Sequence, residues 1–147
     1  MSQEPRHQPA LTTADYPVAE QRPELVQTAA GKTLDALTLE AVEAGEVAMH
    51  DLRITAAALR QQAMIARAAG RDRLGENFER AAELVDVPQD VLLRVYELLR
   101  PGRAQDKAAL LEAADGLRRD FGANVMADFV SEAAEVYERR GLFTRRF

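Results

Sequence analysis

Residues 70–88 read GRDRLGENFERAAELVDVP. Leu74, Phe78, Ala81 and Val85 recur at i, i+4, i+7 and i+11, which aligns them on one side of an α-helix. Asp72 is placed to cap that helix, and Pro88 ends it because proline lacks the N–H that a continuing helix needs. The apolar stripe is narrow and its flanks are charged. Glu76 and Arg80 stand at i and i+4 in the favourable orientation, a pair worth about 0.3–0.5 kcal/mol on an exposed helix. Gly75 interrupts the interior, at a cost of about 1 kcal/mol relative to alanine unless close packing requires it.

The same pattern continues on both sides. Thr38 can cap LEAVEAG, closed by Gly45, and Thr55 can cap AAALRQQAMIARAAG, closed by Gly70. In the latter, Leu59, Met64, Ile65 and Ala68 fall near helical spacing. QDVLLRVYELLRP sets Leu92, Val95, Tyr96 and Leu99 on one face and stops before Pro101. QDKAALLEAADGLRRDFG and NVMADFVSEAAEVYERRG are two further helices, with Asp106 and Asn124 as caps and Gly122 and Gly141 as stops. No apolar run alternates with period two. The expectation is all-α: a small helical domain of about five or six helices over residues 38–141, followed by a basic tail at 142–147.

The N-terminal third differs. Pro5, Pro9, Pro17 and Pro23 recur too often for helix and bias their neighbours toward extended backbone. Residues 1–14 read as a disordered tail. Residues 15–37 read as an extended arm laid on a surface, because Tyr16, Val18, Leu25 and Val26 supply anchors.

A chain of 147 residues suits one domain. Alanine accounts for 27 residues, against 35 for Leu, Ile, Val and Phe together, and there is no Trp. Alanine favours helix but buries little area, so the core is thin. Such a chain folds marginally alone or borrows core from a partner. The formal charge is −5, which argues against nucleic acid. Of 19 basic residues 17 are arginine, either the mark of a GC-rich genome or a supply of planar donors for carboxylates at a protein interface. The absence of cysteine excludes disulfides and thiolate chemistry, and no apolar run approaches the ~20 residues of a membrane span. The reading is a soluble cytoplasmic chain.

Catalytic constellations are sought and not found. GKT at 31–33 invites a phosphate-loop reading, but the position five before Gly31 is Val26, so a turn is the better reading. His7 and His50 lack a second histidine at ligand spacing, and Ser2 and Ser131 lack a nearby base. No metal site is expected. Arg71, Asp72, Arg73, Asn77 and Phe78 crowd one helix start, with Arg80 beside them. That combination suits a docking surface, and it equally suits a solvated face with local ion pairs.

AGRDRLGENFERAAELVDVPQD at 69–90 follows RIT at 53–55 and LRQQAMIA at 59–66, and precedes YELLRP at 96–101. With DYPVA at 15–19, GKTLDALTLE at 31–40 and FVSEAAEVYERR at 129–140, these stretches resemble, in order, the small (gamma) subunit of adenosylcobalamin-dependent diol and glycerol dehydratases. The resemblance implies a hydro-lyase built as a dimer of heterotrimers, converting propane-1,2-diol or glycerol to an aldehyde by radical chemistry. It implies large and medium subunits as partners, with adenosylcobalamin between them and catalytic residues on the large one. None of the catalytic, cofactor-binding or metal roles then falls on this chain. It also implies a cytoplasmic enzyme, within a bacterial microcompartment for members with a longer N-terminal extension; here 14 residues precede DYPVA. Tyr16 and Pro17 of DYPVA and Arg53 of RIT join Arg71, Arg73, Asn77, Phe78 and Arg80 as candidate partner contacts. A free-standing helical adapter or regulator is the alternative.

Overall fold

The computed structural model describes residues 10–143. Seven α-helices run in order: α1 Val18–Gln21, α2 Leu39–Glu43, α3 Ala56–Ala68, α4 Asp72–Leu84, α5 Gln89–Leu99, α6 Lys107–Phe121 and α7 Asn124–Arg139. Among the described residues there is no strand beyond one bridge pair, Gln27 with Thr33. The all-α expectation holds, with five long helices and two of about one turn. Residues 1–9 and 144–147, which include Ser2, His7 and most of the expected basic tail, lie outside the described residues. The chain packs as two compact units, one up to Phe78 and one from Glu79. That division falls inside α4 and inside the stretch 38–141 read as one domain.

In the second unit α6 and α7 form an antiparallel hairpin. Gly122 adopts φ +62, a left-handed conformation that costs glycine no Cβ clash. Its N–H donates to the Arg118 carbonyl and that of Ala123 to the Leu117 carbonyl, both at 3.1 Å, which reverses the chain within two residues. Lys107 at the start of α6 reaches Glu135 at 2.7 Å and Glu138 at 2.8 Å near the end of α7. Between the helices Leu110, Ala114 and Leu117 are fully buried against Ala123, Ala127, Val130 and Ala134. Alanine on this seam lets the helices approach closely, so small side chains still produce a dense core.

Helix α5 adds Val95 to this core, with Leu92 and Leu99 packed at its edge. Tyr96, expected on the same face, is exposed instead. At 100° per residue it lies one step around from Val95, and the half-buried Val91 and Leu98 complete the packed face. Tyr137 of α7 donates its hydroxyl to the Leu99 carbonyl at the end of α5. Asp106 caps α6 as expected, accepting from the Ala109 N–H at 2.9 Å. Asn124 does not cap α7: it is the first helical residue, and the cap position belongs to Ala123. The donors that this leaves at the helix start are taken by Glu83 of α4.

In the first unit the chain before α3 is less extended than the sequence suggested. It winds through 3-10 turns at Thr13–Asp15, Pro23–Leu25 and Leu34–Ala36, with α1 between the first two. Leu11 and Val18 are buried against Ile65 of α3, and Leu25, Val26 and Met64 pack at the margin. Leu11 is only 5% exposed and Thr12 caps the first turn, so packing begins before residue 15, inside the stretch read as tail. Thr38 and Thr55 cap α2 and α3 as expected, accepting from Ala41 and Ala58 at 3.2 and 3.1 Å. The buried face of α3 is Gln61, Ala63, Ile65 and Ala66, while Ala68 turns outward. Gln61 is accommodated because its side-chain amide donates to the Leu25 carbonyl at 3.2 Å.

Helix α4 begins at Asp72, so this residue sits in the first turn rather than before it. On its stripe Phe78, Ala81 and Val85 are half-buried, Leu74 is exposed, and the most buried apolar residue is Ala82. Gly75 has a packing reason: a Cβ there would lie 2.9 Å from Arg67 Cγ and 3.2 Å from the Ala63 carbonyl oxygen of α3. α3 and the start of α4 meet with no room for a methyl group between them.

Candidate docking surface

The GKT stretch forms a turn whose lysine holds neighbouring chain. The Thr28 N–H donates to the Lys32 carbonyl at 2.9 Å, and the Lys32 N–H donates to Thr28 Oγ1 at 3.1 Å. Lys32 Nζ then donates to the Glu46 carbonyl at 2.5 Å and to Asp51 Oδ2 at 2.7 Å. The amine that a phosphate loop would aim at its ligand is therefore engaged by protein oxygens. Asp51 is buried, and its Oδ2 also accepts from the Ala48 N–H at 3.0 Å. The Lys32 hydrogen bond, followed by that from Ala48, holds the Asp51 carboxyl below the ordinary aspartate value. His50 stands with Nε2 3.7 Å from the same oxygen.

This clamp orders the segment 34–54, and the segment has almost no core. Val47 and Asp51 are its only buried residues. Leu39 is 70% exposed, Met49 78% and Ile54 60%; Leu34, Val42 and Leu52 are exposed as well. Leu39 and Val42 are three apart on α2 and share a side. Met49 and Leu52 are three apart in a 3-10 turn, where such positions eclipse. Two apolar ridges thus stand out from one clamped segment. Of the candidate partner contacts named from sequence only Arg53 lies here; the exposed ridges were not singled out. The signal available was an apolar pair on a helix too short to bury it.

The other candidates gather differently. Tyr16 is 60% exposed and forms a wall shared by two cavities of the first unit. The larger, about 670 Å³, is lined by Pro17, Val18, Val26, Ala58 and Gln61 among others. The smaller, about 360 Å³, brings Tyr16, Arg71, Leu74 and Phe78 together with Ile65 and Gln62. Arg73 and Asn77 are exposed on α4 and line neither cavity. Arg80 is turned inward: its guanidinium lies 4.7 Å from the centre of the Phe129 ring on α7, a cation–π contact within the chain.

The larger cavity contains no ionisable group except the Tyr16 phenol, and the smaller adds only Arg71. Neither presents a carboxylate pair, an imidazole or a base beside a hydroxyl, the groups that acid–base or nucleophilic chemistry requires. Among the described residues no cluster of three or more His, Cys, Asp or Glu is arranged to bind a metal ion, and no helix is long and apolar enough to cross a membrane.

Comparison with known proteins places the chain in a family. The family described as "Dehydratase small subunit" matches residues 11–144. The propanediol dehydratase small subunit of Salmonella typhimurium is 52% identical over 127 residues, covering 86% of this chain and 73% of that protein. The propanediol dehydratase small subunit of Citrobacter freundii is 52% identical over 126 residues, with the same shares covered. Identity at this level, extending through both packed units, is the mark of shared descent: the chain belongs to the dehydratase small-subunit family.

Proposed function

We propose that this chain is the small subunit of a propanediol dehydratase, the enzyme that removes water from propane-1,2-diol to give an aldehyde. The observation that carries this is 52% identity over 86% of the chain to a small subunit of that name. Propane-1,2-diol is preferred over glycerol as the substrate because both relatives bear the diol's name. In this reading the chain carries no catalytic residue and supports a large catalytic subunit, with a medium subunit completing a heterotrimer that pairs as a dimer. Adenosylcobalamin supplies the radical chemistry and is held by the other two subunits. The enzyme works in the cytoplasm, within a microcompartment where its host builds one. Tyr16, Pro17, Arg53, Arg71, Arg73, Asn77 and Phe78 are the proposed partner contacts; Tyr16, Arg71 and Phe78 line one cavity, and Pro17, Arg53, Arg73 and Asn77 are exposed. Arg80 contributes indirectly, through Phe129.

The test is co-expression of the full chain with the large and medium subunits of the same organism, with diol turnover measured per intact complex. Arg73→Ala is expected to reduce the amount of complex and leave turnover per complex unchanged. Loss of turnover in a complex of normal composition and normal cobalamin content would place Arg73 in the chemistry and overturn the contact-only reading.

A further inference from the structure

We infer that α2 and the Met49–Leu52 turn form an acidic-rimmed apolar face that seats in a basic-rimmed apolar groove of a partner dehydratase subunit. The inference rests on the small-subunit reading and adds to it the surface and the chemistry of its complement. Ordering a backbone costs conformational entropy, which burial normally offsets. The segment 34–54 is ordered by caps, turns and the Lys32 clamp, yet buries only Val47 and Asp51. The Glu46 and Val47 N–H groups both donate to the Ala41 carbonyl, at 2.8 and 3.2 Å, which closes α2 and fixes the turn that leads from the first ridge to the second. Large apolar side chains held in fixed positions and left in water are the pattern of a protein interface before its partner arrives.

The charge around them specifies the partner. Asp35, Glu40, Glu43 and Glu46 are exposed, and Arg53 is the segment's only exposed arginine or lysine. None of these carboxylates is tied up in an ion pair within the described residues. On α2 the apolar positions Leu39 and Val42 alternate with Glu40 and Glu43, so the ridge has a carboxylate flank. An apolar centre with a charged rim is complemented by an apolar groove edged with arginine or lysine.

The experiment titrates the full chain into the large–medium subcomplex and reads its affinity. Leu39→Ser with Met49→Ser removes the two most exposed ridge residues without touching the chain's own core. It is expected to weaken binding at least about tenfold while helicity stays that of the wild type. Glu40→Lys with Glu43→Lys is expected to weaken binding several-fold at low salt, with the difference shrinking above roughly 0.5 M salt as the rim is screened. Wild-type binding with both variants unchanged overturns the inference and leaves the subunit reading standing. A wild-type chain that fails to bind the subcomplex removes both. A chain that instead pairs with itself, in a manner abolished by Leu39→Ser with Met49→Ser, overturns it in favour of a second copy as the occupant.

Discussion

Glu83 on α4 accepts hydrogen bonds from the backbone of α7: Oε2 from the Met126 N–H at 2.8 Å and Oε1 from the Val125 N–H at 3.0 Å. A helix start leaves donors unpaired and carries partial positive charge, so a carboxylate placed there satisfies both. The cap comes from 42 residues away in sequence, in place of a side chain at the helix's own threshold. Glu83→Ala is expected to destabilise the protein by about 1–2 kcal/mol in a urea titration. Glu83→Gln keeps an acceptor but loses the charge, so it should fall between. A neutral Glu83→Ala would show that water caps α7 equally well.

The helices were legible because their signals are local. Thr38, Thr55 and Asp106 cap from one residue before each helix, and Gly122 reverses the chain where it was expected to. Asn124 misled for a related reason. An amide before an apolar run is a good local cap, but a remote carboxylate had already taken the donors, and sequence spacing does not show that pairing. Tyr96 misled because a four-residue stripe on a helix admits more than one rotation, and only the position of α6 decides between them.

Leu11→Ala should lower stability by about 2–4 kcal/mol, as for other buried leucines truncated in cores. The residue lies in a proline-spaced stretch that reads as tail, yet it packs with Val18 on Ile65. Thermal unfolding of the full chain measures this. A shift of less than one degree would mean that the segment before Thr12 adds nothing to the fold.

The Lys32–Asp51 clamp makes a pH prediction. The folded Asp51 carboxyl is held below its ordinary value, chiefly by Lys32, so the folded protein binds this proton less readily than the unfolded chain does. The contribution is therefore complete above the ordinary aspartate value of 3.8 and is lost as the pH falls through the folded value. Asp51→Asn should be less stable than wild type at neutral pH, with the gap narrowing as the pH is lowered to about 3. A gap that stays constant with pH would mean that Asp51 contributes by shape rather than by charge.

The exposed apolar ridges were less legible than the fold because exposure is not a property of a residue type. Leu39, Val42, Met49 and Leu52 are ordinary apolar residues in the sequence, and alternation with carboxylates on α2 looks like an amphipathic helix with a core to meet. Their exposure follows from α2 lasting five residues and from Gly45 turning the chain away. Tyr16, Arg71 and Phe78, singled out from composition at a helix start and an arm, line one cavity. Arg80 has the same composition signal but points into its own fold, since Phe129 lies 49 positions later.

Two glycines give the sharpest test of the packing. Gly116 in α6 has open space where a Cβ would stand, and nothing lies within 4 Å of it. Gly116→Ala should therefore gain helix propensity without cost and stabilise the protein by about 0.5–1 kcal/mol. Gly75 in α4 has the same propensity to gain, but its Cβ would meet Arg67 Cγ at 2.9 Å and the Ala63 carbonyl oxygen at 3.2 Å. The arginine can swing aside; the carbonyl belongs to helical backbone and yields only if α3 and the start of α4 separate. Overpacking of this kind typically costs about 1–3 kcal/mol, enough to cancel or reverse the gain. Gly75→Ala is thus expected to be destabilising where Gly116→Ala stabilises, measured side by side in the same denaturant. If both alanines stabilise equally, the close approach of α3 to the start of α4 is looser in solution than these distances require.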